Sequence, residues 1–487
     1  MRKFAHARAC AVLVPTLPQL FGGLLTWLCV ARALPIDANR PICANLPRAD
    51  GEGLTRAGPR IQKVFCISAP ERVNSIRLPR LALAAPRLCC LDLDTFFVSV
   101  ERLLDPSLLG KPVVVGGRPG QRGVVTSCSY EVRALGVRSG MSLTCAYELA
   151  PHAVYLPTRH GVYGDYASRV RRIAEGYTPL SQVASIDEMF LDFSGCENLY
   201  HQAGDADPDS TIERVVRRLT DEIEERVGLP SSAGIATSRS VAKVASALAK
   251  PRGVLMVAAG AEGRFLAPLP VRKFPGIGPV AEEKLLAIGV KTLADLGAAP
   301  LSTLREVFGN WAEALQRGCR GHGSHELGRE RPAFQEHDPA GGTLGTISNE
   351  RTFREDVRDA TSIETMLCSL SERVCWRARK RDVKARTVTL KLRYADFETL
   401  QRSRTITPTC SELELYPVVR ELYRRARTRR TAIRLLGICL SNLQAASRQL
   451  SLFEPTAAIH RTVDRVRTRY GYGALHLAGS HRDVDDD

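Results

Sequence analysis

Two apolar segments that lie far apart in the chain, each with acidic residues attached, constrain the fold more than any other feature. Residues 88–94 form an apolar run of strand length that ends in acids, among them Asp92. Residues 183–193 alternate apolar and polar side chains on both sides of Asp187 and Glu188, which is typical of a hairpin with acids near its tip. If the two strands are neighbours, these three carboxylates converge on one cleft. Surface acids at a strand end are the alternative.

Converging carboxylates have a physical consequence, because like charges a few ångström apart repel unless cations lie between them. A site made only of oxygen ligands suits Mg²⁺, which also accepts phosphate oxygens as ligands. Two such ions about 4 Å apart would stabilise the entering and leaving oxygens of an in-line phosphoryl displacement. The pattern therefore favours phosphoryl-transfer chemistry.

The charge and cysteine content narrow the class of protein. The chain has 487 residues and a net charge of +16, with a pI near 9.4, which indicates a polyanionic partner such as nucleic acid or an anionic membrane. Its 14 cysteines include no Cys-x-x-Cys pair, so a zinc ribbon or a secreted disulfide scaffold is not expected. We expect buried free thiols in a reducing cytosol.

The first 86 residues do not resemble the rest of the chain. Residues 9–31 carry no charge and follow three basic residues, which is typical of a signal peptide or anchor, but prolines and glycines interrupt the helix that such a segment needs. We favour a start assigned too far upstream. A disordered tail and a genuine targeting or membrane segment remain open.

Two further motifs bring basic residues to one helix face each. Arg133 follows Tyr130 at helical spacing, and a guanidinium group binds phosphate in bidentate fashion. Lys243 and Lys250 are two helical turns apart, so both ammonium groups can point the same way. A plain surface arginine and a solvated Lys243 are the alternatives.

A helix and a turn are also predicted between these motifs and the C-terminal half. Residues 210–213 read as a capping box, followed by one apolar stripe that we assign to the core. Residues 275–285 have the form of a helix-hairpin-helix, in which Gly276 and Gly278 would permit positive φ and expose amide groups to a DNA phosphate.

Residues 385–394 alternate strictly, with Val388, Leu390, Leu392 and Tyr394 on one face. The other face carries Thr387, Thr389, Lys391 and Arg393, and a basic sheet face fits a groove lined by phosphates. A merely solvated face is the alternative. A short box follows at residues 449–453.

These motifs, in this order from about residue 87 to residue 453, resemble the Y-family translesion DNA polymerases, specifically the DinB or DNA polymerase IV branch. The resemblance implies that Asp92, Asp187 and Glu188 are catalytic and hold two Mg²⁺ ions, with the main-chain carbonyl of Leu93 as an extra ligand. It implies that Phe97 is the steric gate, which leaves no space for a ribose 2′-hydroxyl; a core aromatic beside Phe96 is the alternative.

The resemblance assigns the remaining site residues as well. Tyr130, Arg133 and Lys250 would bind the incoming triphosphate, although Cys128-Ser129 stand where the family usually has Ala-Asn. Lys243, Gly276, Gly278, Lys391 and Arg393 would contact DNA. Gln449, Leu450, Leu452 and Phe453 would bind the sliding clamp.

The implied fold is a multidomain α/β and α+β right-hand polymerase with a palm, small fingers, a helix-hairpin-helix thumb and a little finger. The expected parts are an extension (1–86), a palm (87–95 and 161–257), fingers (96–160), a thumb (258–332), a linker (333–342), a little finger (343–448), a clamp-binding box (449–453) and a tail (454–487). We expect a cytoplasmic monomer that does not bind membranes.

The implied function is template-directed DNA synthesis of low fidelity, without proofreading, by two-metal nucleotidyl transfer. Primer–template DNA, deoxynucleoside triphosphates and the sliding clamp are the expected partners. Three other classes remain open: a nucleotide cyclase with a similar carboxylate site, a non-catalytic DNA-repair accessory protein, and a helix-hairpin-helix repair nuclease.

Overall fold

The computed structural model describes residues 85–327, 345–445 and 456–480. Its strands are β1 (Leu88–Leu93), β2 (Val113–Val115), β3 (Ser127–Cys128), β4 (Val154–Leu156), β5 (Leu180–Val183), β6 (Glu188–Asp192), β7 (Ser231–Ala236), β8 (Val254–Met256), β9 (Ile347–Val357), β10 (Val383–Tyr394), β11 (Thr399–Thr409) and β12 (Ile433–Ala445). The predicted extension, apart from its last residues, the linker and the clamp-binding box lie outside the described residues.

The helices are α1 (Phe96–Leu104), α2 (Tyr130–Ala134), α3 (Leu143–Leu149), α4 (His160–Ala174), α5 (Glu197–Tyr200), α6 (Pro208–Val227), α7 (Arg239–Ala249), α8 (Glu262–Leu266), α9 (Pro279–Ala287), α10 (Leu293–Ala298), α11 (Leu301–Phe308), α12 (Ala312–Cys319), α13 (Ala360–Lys380), α14 (Glu412–Ala426) and α15 (Thr456–Tyr470). None of these helices is long and apolar enough to cross a membrane, as far as the described residues go.

A five-stranded sheet with the order β5-β6-β1-β7-β8 lies at the centre of the first half. Strand β1 is antiparallel to both of its neighbours, and β7 and β8 are parallel. Alternate side chains of β1 enter different cores, because successive residues of a strand point to opposite faces. Leu91 packs in one core with α4 and α6, and Cys90 packs in the other with α7. The sheet is therefore covered on both faces.

Helix α6 begins earlier than the sequence pattern predicts. Asp207 is its N-cap, and its carboxylate accepts a hydrogen bond from the Ser210 backbone amide at 2.7 Å, while the Ser210 hydroxyl oxygen accepts one from the Asp207 amide at 3.0 Å. The predicted box starting at Ser210 is wrong, because Pro208 is suited to the first helical position and places Ser210 at the third. The predicted stripe is confirmed as core: Ile212, Val215, Val216, Leu219, Ile223 and Val227 are all buried.

Residues 96–160 contain a small sheet of order β3-β2-β4 with its own buried cluster, which includes Val114, Val125 and Val132. Helices α8 to α12 then form a helical region whose core is continuous with the α7 side of the five-stranded sheet. Residues 96–160 thus have their own core, whereas the helical region shares a core with α7.

The turn before α9 has one glycine that needs positive φ, not two. Gly276 has φ +92, and a Cβ there would lie 2.4 Å from the Trp311 ring. Gly278 has φ −89 and is the N-cap of α9, with open space where a side chain would stand. The prediction is confirmed for Gly276 and wrong for Gly278, because an N-cap residue adopts ordinary extended dihedral angles.

The C-terminal half contains an antiparallel four-stranded sheet of order β11-β10-β12-β9. The predicted alternation in β10 is confirmed, since the apolar residues are buried against α13 and α14 and the polar ones are partly exposed. Strand β9 begins at Ile347, four residues after the predicted start of the little finger at residue 343. The polar face of β10 points away from the two helices.

Residues 456–480, which the sequence analysis assigns to a separate tail (454–487), pack against α13. Arg467 forms an ion pair with Glu372, and both are almost completely buried. Glu372 also accepts hydrogen bonds from the Leu477 amide at 3.0 Å and the Ser480 hydroxyl at 2.8 Å. This segment is therefore part of the C-terminal domain.

All ten cysteines in the described ranges are free thiols, as predicted. Burial raises the pKa of Cys90 to about 12, with a contribution from Glu188. The expectation of burial is wrong for Cys145, which is exposed on α3.

Candidate active site

Asp92 and Glu188 lie directly opposite each other on neighbouring antiparallel strands, β1 and β6. The β5–β6 hairpin is present as predicted, and Asp187 lies in its turn. A hydrogen bond of 2.9 Å from the Leu93 amide to the Asp187 carbonyl holds that turn against the end of β1. The fold thus brings acids from two distant segments to one edge of the sheet.

Each of the two opposed carboxylates binds a lysine. The Lys250 ammonium lies 2.5 Å from Asp92 Oδ1, and Lys243 donates a hydrogen bond to Glu188 Oε2. Both lysines come from α7 or its C-terminal cap, so the prediction that they point the same way is confirmed. The lysines place positive charge where an anionic substrate would meet the acids.

Burial raises the pKa of Asp92, and the nearby charges of Asp187 and Glu188 act in the same direction while Lys250 opposes them. Burial alone would lower the pKa of Lys243, but its hydrogen bond to Glu188 outweighs this, and the pKa is raised. Negative charge at Asp92 is therefore costly, as in a site that requires added cations.

The carboxylates are not gathered into one cluster. In the described parts of the chain, no three His, Cys, Asp or Glu side chains lie close enough to hold one ion. Asp187 instead accepts a hydrogen bond from Ser185. The donors available at this edge are still all oxygen atoms, which is the ligand chemistry that a hard divalent cation requires. The residues present fit such an ion by their chemistry.

Asp94 is a buried acid of this site for which the sequence predicts no role. Its carboxylate is 1% exposed and accepts hydrogen bonds of 2.8 Å from the Ser232 hydroxyl and from the Arg252 amide. Tyr130 donates a longer bond of 3.4 Å to the same carboxylate. The sequence shows Asp94 only as an acid two residues after Asp92. Its role cannot be predicted from that spacing, because Ser232 and Arg252 lie far away in the chain.

Phe97 lies on α1 beside the cleft and is partly exposed, whereas Phe96 is buried. Its ring stacks on Tyr163 with centroids 4.1 Å apart and an angle of 15°. Tyr163 is fixed in turn by a 2.6 Å hydrogen bond to Glu101. The aromatic ring at position 97 is therefore rigidly supported.

Tyr130 and Arg133 share one face of α2, as predicted. The Arg133 guanidinium lies 5.3 Å from the centre of the Tyr130 ring and donates a 3.1 Å hydrogen bond to the Cys128 carbonyl. Burial, with the adjacent charge of Asp94, raises the pKa of Tyr130 to about 12. The hydroxyl is therefore a neutral donor at physiological pH.

The residues predicted to contact DNA lie outside this cluster, apart from Lys243. Lys391 is paired with Glu350 across the four-stranded sheet at 2.8 Å, and Arg393 donates to the Thr399 hydroxyl at 2.8 Å. Gly276 and Gly278 belong to the helical region. Gln449, Leu450, Leu452 and Phe453 lie outside the described residues.

Comparisons with known proteins agree with this arrangement. The chain is 35% identical over 405 residues to DNA polymerase IV of Dehalococcoides mccartyi, covering 82% of this chain and 99% of that one. It is 36% identical over 402 residues to DNA polymerase IV of Desulfatibacillum aliphaticivorans, covering 81% and 96%. The fold is similar to that of a Y-family DNA polymerase chimera based on Dbh, with a TM-score of 0.63 at 24% identity over 74% of this chain and 99% of that one.

Three family matches cover most of the described chain. Residues 91–247 match the impB/mucB/samB family, residues 345–452 match the C-terminal domain of that family, and residues 261–290 match the IMS family HHH motif. The first match contains every carboxylate and lysine of the cleft except Lys250, which follows it closely. On these matches, the chain belongs to the impB/mucB/samB family of Y-family DNA polymerases.

Proposed function

We propose that this chain is a DNA-directed DNA polymerase that copies damaged templates with low fidelity and without proofreading. The observation that carries the proposal is the pairing of Asp92 and Glu188 across two strands, with Lys250 and Lys243 beside them. The curated relatives of the chain are DNA polymerases IV, and no observation favours a cyclase, a nuclease or a non-catalytic accessory protein.

Asp92, Asp187, Glu188 and the Leu93 carbonyl would hold two Mg²⁺ ions. Bound there, the ions would neutralise the negative charge that develops on the phosphate oxygens. The raised pKa of Asp92, caused by burial and by its acidic neighbours, supports this assignment, because added cations would relieve that cost.

The protein's own groups would orient the substrates. Lys250, Tyr130 and Arg133 would hold the triphosphate of the incoming nucleotide, since an ammonium, a hydroxyl donor and a guanidinium all bind phosphate oxygens. Phe97, supported by Tyr163, would pack beneath the sugar and exclude a 2′-hydroxyl. The primer 3′-hydroxyl would attack the α-phosphate and release its proton to water; a new O–P bond would form, the bond between the α-phosphorus and the oxygen that bridges to the β-phosphate would break, and pyrophosphate would leave.

Primer–template DNA would also contact Lys243, Gly276, Gly278, Lys391 and Arg393. The positive φ of Gly276 supports a tight turn before α9, whose N-terminal amides can bind a backbone phosphate. Low fidelity follows from the chemistry of the pocket, because differences in fit alone discriminate by only about 1–3 kcal/mol. We propose a cytoplasmic location, which DNA as the substrate supports, and a monomeric state.

The test is primer extension with and without Mg²⁺ by the wild type and by Asp187→Ala. We expect the variant and the EDTA-treated wild type to lose activity by about 10³-fold or more, on the order of 4 kcal/mol. Asp221→Ala, which removes an exposed acid from α6, is the matched control and should be fully active. Extension by Asp187→Ala at the wild-type rate would refute the assignment.

We further propose that Gln449, Leu450, Leu452 and Phe453 bind the sliding clamp. Deletion of residues 449–453 should abolish stimulation by the clamp and leave extension without the clamp unchanged. Equal stimulation of the deletion variant would end this assignment.

A further inference from the structure

The main chain of Asp94 is fixed between the end of β1 and the start of α1. Its amide donates a 2.9 Å hydrogen bond to the Pro230 carbonyl, and its carbonyl accepts a 2.7 Å bond from the Ser99 hydroxyl. The next residue, Thr95, has φ +44 and is the N-cap of α1. Bonds to two different parts of the chain therefore set the direction in which the Asp94 side chain leaves the backbone.

The two carboxylate oxygens of Asp94 face different groups. Oδ2 accepts hydrogen bonds of 2.8 Å from the Ser232 hydroxyl and of 2.8 Å from the Arg252 amide. Oδ1 lies 3.4 Å from the Tyr130 hydroxyl and 3.9 Å from the Lys250 ammonium. One oxygen is thus anchored by two short bonds, and the other is directed at two groups that we assign to the triphosphate.

Tyr130 and Lys250 come from regions with separate cores. Tyr130 begins α2, which packs in the cluster of residues 96–160, whereas Lys250 caps α7, which packs on the five-stranded sheet. Packing within either core does not determine how close the two side chains come. A shared acceptor does, because two donors that approach one oxygen atom can also reach neighbouring oxygens of one polyphosphate.

The contacts with Asp94 Oδ1 are long enough to be exchanged for a ligand. An O–H···O hydrogen bond usually measures about 2.5–3.0 Å, so the 3.4 Å bond from Tyr130 is a weak one. Lys250 is likewise closer to Asp92, at 2.5 Å, than to Asp94. Phosphate oxygens form short, charge-assisted bonds with such donors. Asp94 can therefore orient both groups and still release them to a triphosphate.

We propose that Asp94 is a positioning residue for the incoming nucleotide. Its Oδ1 atom keeps the Tyr130 hydroxyl and the Lys250 ammonium beside each other before the triphosphate arrives. Groups that are ordered in advance lose less conformational freedom on binding, so the effect is on nucleotide affinity rather than on the chemical step. This inference rests on the proposed function of the cleft and deepens it, since it assigns a role to an acid outside the metal-binding set.

An acid beside a triphosphate site also has an opposite effect, because its negative charge repels the ligand. Removing that charge would strengthen nucleotide binding, whereas losing the orientation of Tyr130 and Lys250 would weaken it. The nearby Lys250 ammonium already offsets the Asp94 charge, so we expect the loss of orientation to dominate. The sign of the change in affinity therefore separates positioning from simple repulsion.

The test uses Asp94→Asn in the full chain. The amide oxygen of asparagine can still accept hydrogen bonds from Ser232 and Arg252, which leaves its NH₂ group, a donor, facing Tyr130 and Lys250. Binding of the next correct dNTP is measured on a primer–template whose primer ends in a dideoxynucleotide, with 2-aminopurine in the template as the fluorescent reporter. Single-nucleotide extension of an ordinary primer gives KM and kcat.

We expect Asp94→Asn to raise Kd and KM for the dNTP by about 10-fold and to change kcat by less than about 2-fold. Affinity for the primer–template should be unchanged. The matched control is Glu372→Gln, which converts a completely buried carboxylate of the C-terminal domain to an amide and should leave Kd and KM unchanged. Thermal unfolding checks that both variants are folded.

A double-mutant cycle tests whether Asp94 acts through Tyr130. Tyr130→Phe removes the hydroxyl that Asp94 orients and should also raise Kd. Asp94→Asn/Tyr130→Phe should raise Kd by less than the product of the two single effects, because only Lys250 then remains to be positioned.

An unchanged or lower Kd in Asp94→Asn would overturn the proposal, and so would an equal loss in Glu372→Gln or single effects that multiply in the cycle. A fall in kcat at unchanged Kd would also contradict it, because Asp94 would then act on the chemical step. A wild type that binds the dNTP but extends no primer would refute the proposed function, and the comparison of Kd values would still decide the role of Asp94.

Discussion

The ion pairs of the cleft and the ion pair beneath α15 use the same chemistry in different surroundings. The Lys250 and Asp92 side chains are 21% and 19% exposed, whereas Arg467 and Glu372 are 1% and 0% exposed. Solvent and ligands can reach the first pair, so its members can exchange partners when a substrate arrives. The second pair is sealed from solvent, so water molecules cannot replace the partner of either ion. The first is suited to binding and the second to holding a segment in place.

The largest expected effect is the loss of stability when the sealed Arg467–Glu372 pair is broken. Replacing Arg467 with Ala leaves Glu372 buried without its main cation, and removing one member of a buried pair costs about 3–5 kcal/mol. We expect the free energy of unfolding, measured by urea denaturation of the full chain, to fall by this amount. Primer extension at saturating substrate should change little.

A double variant serves as the control for that measurement. Glu372→Met/Arg467→Met replaces both ions with apolar side chains of similar size, which is often close to neutral. We expect it to recover most of the lost stability. A single variant as stable as the wild type would show that the two kinds of pair do not differ as we describe.

The next effect concerns the open pair. Lys250→Ala should lower kcat/KM for the incoming nucleotide by about 10–100-fold, because a hydrogen bond to a charged group contributes about 1.5–3 kcal/mol. The free energy of unfolding should fall by less than in Arg467→Ala, since the Lys250 and Asp92 side chains keep some contact with water. Lys111→Ala, at an exposed lysine, is the control. A loss of stability without a loss of kcat/KM would contradict the comparison.

A smaller effect is expected at the wall of the cleft. Phe97→Ala should reduce discrimination between deoxyribonucleotides and ribonucleotides by about 10-fold, within the 1–3 kcal/mol that pocket shape provides. Phe97→Tyr keeps the ring and should retain discrimination. The ratio of kcat/KM values for the two nucleotides is the measurement, and an unchanged ratio in the alanine variant would remove Phe97 from this role.

The smallest effect is a pH dependence of the sealed pair. Burial alone raises the pKa of Glu372, but His476, Arg467 and Ser480 outweigh it and hold the pKa below its usual value of 4.5. A carboxyl whose pKa is lowered by folding stabilises the native state above its unfolded pKa, and this contribution is lost as the pH falls through the folded value.

Urea denaturation of the wild type and of Glu372→Gln at several pH values measures this effect. The stability difference between them should be largest at pH 7 and should narrow as the pH falls below about 4.5. A constant difference would exclude Glu372 as the titrating group.

Local patterns predict several of the strands and helices, but not α15. The alternation of Val388, Leu390 and Leu392 predicted β10 because strand periodicity is a property of neighbouring residues. The predicted start of α6 is misplaced because Ser210 and Glu213 fit the usual sequence rule for a capping box, whereas the box that forms pairs Asp207 with Ser210. The proline between them decided the outcome.

Partners that lie far apart in the chain could not be predicted from local patterns. The cleft could be predicted because acidic residues stand out on two apolar segments. No local sequence pattern indicates that Glu188 binds Lys243. The role of Asp94 depends on its hydrogen bonds from Ser232 and Arg252. The position of residues 456–480 depends on the contact between Arg467 and Glu372. Such contacts require the three-dimensional fold.

The contact between Gly276 and Trp311 restricts how the helix-hairpin-helix can change during evolution. The Trp311 indole occupies the space that a side chain at position 276 would need. The Cβ of that side chain would lie 2.4 Å from the ring. Positive φ disfavours such a side chain as well. A smaller residue at position 311 would remove the collision but not the backbone strain, so a side chain at position 276 carries two separate costs.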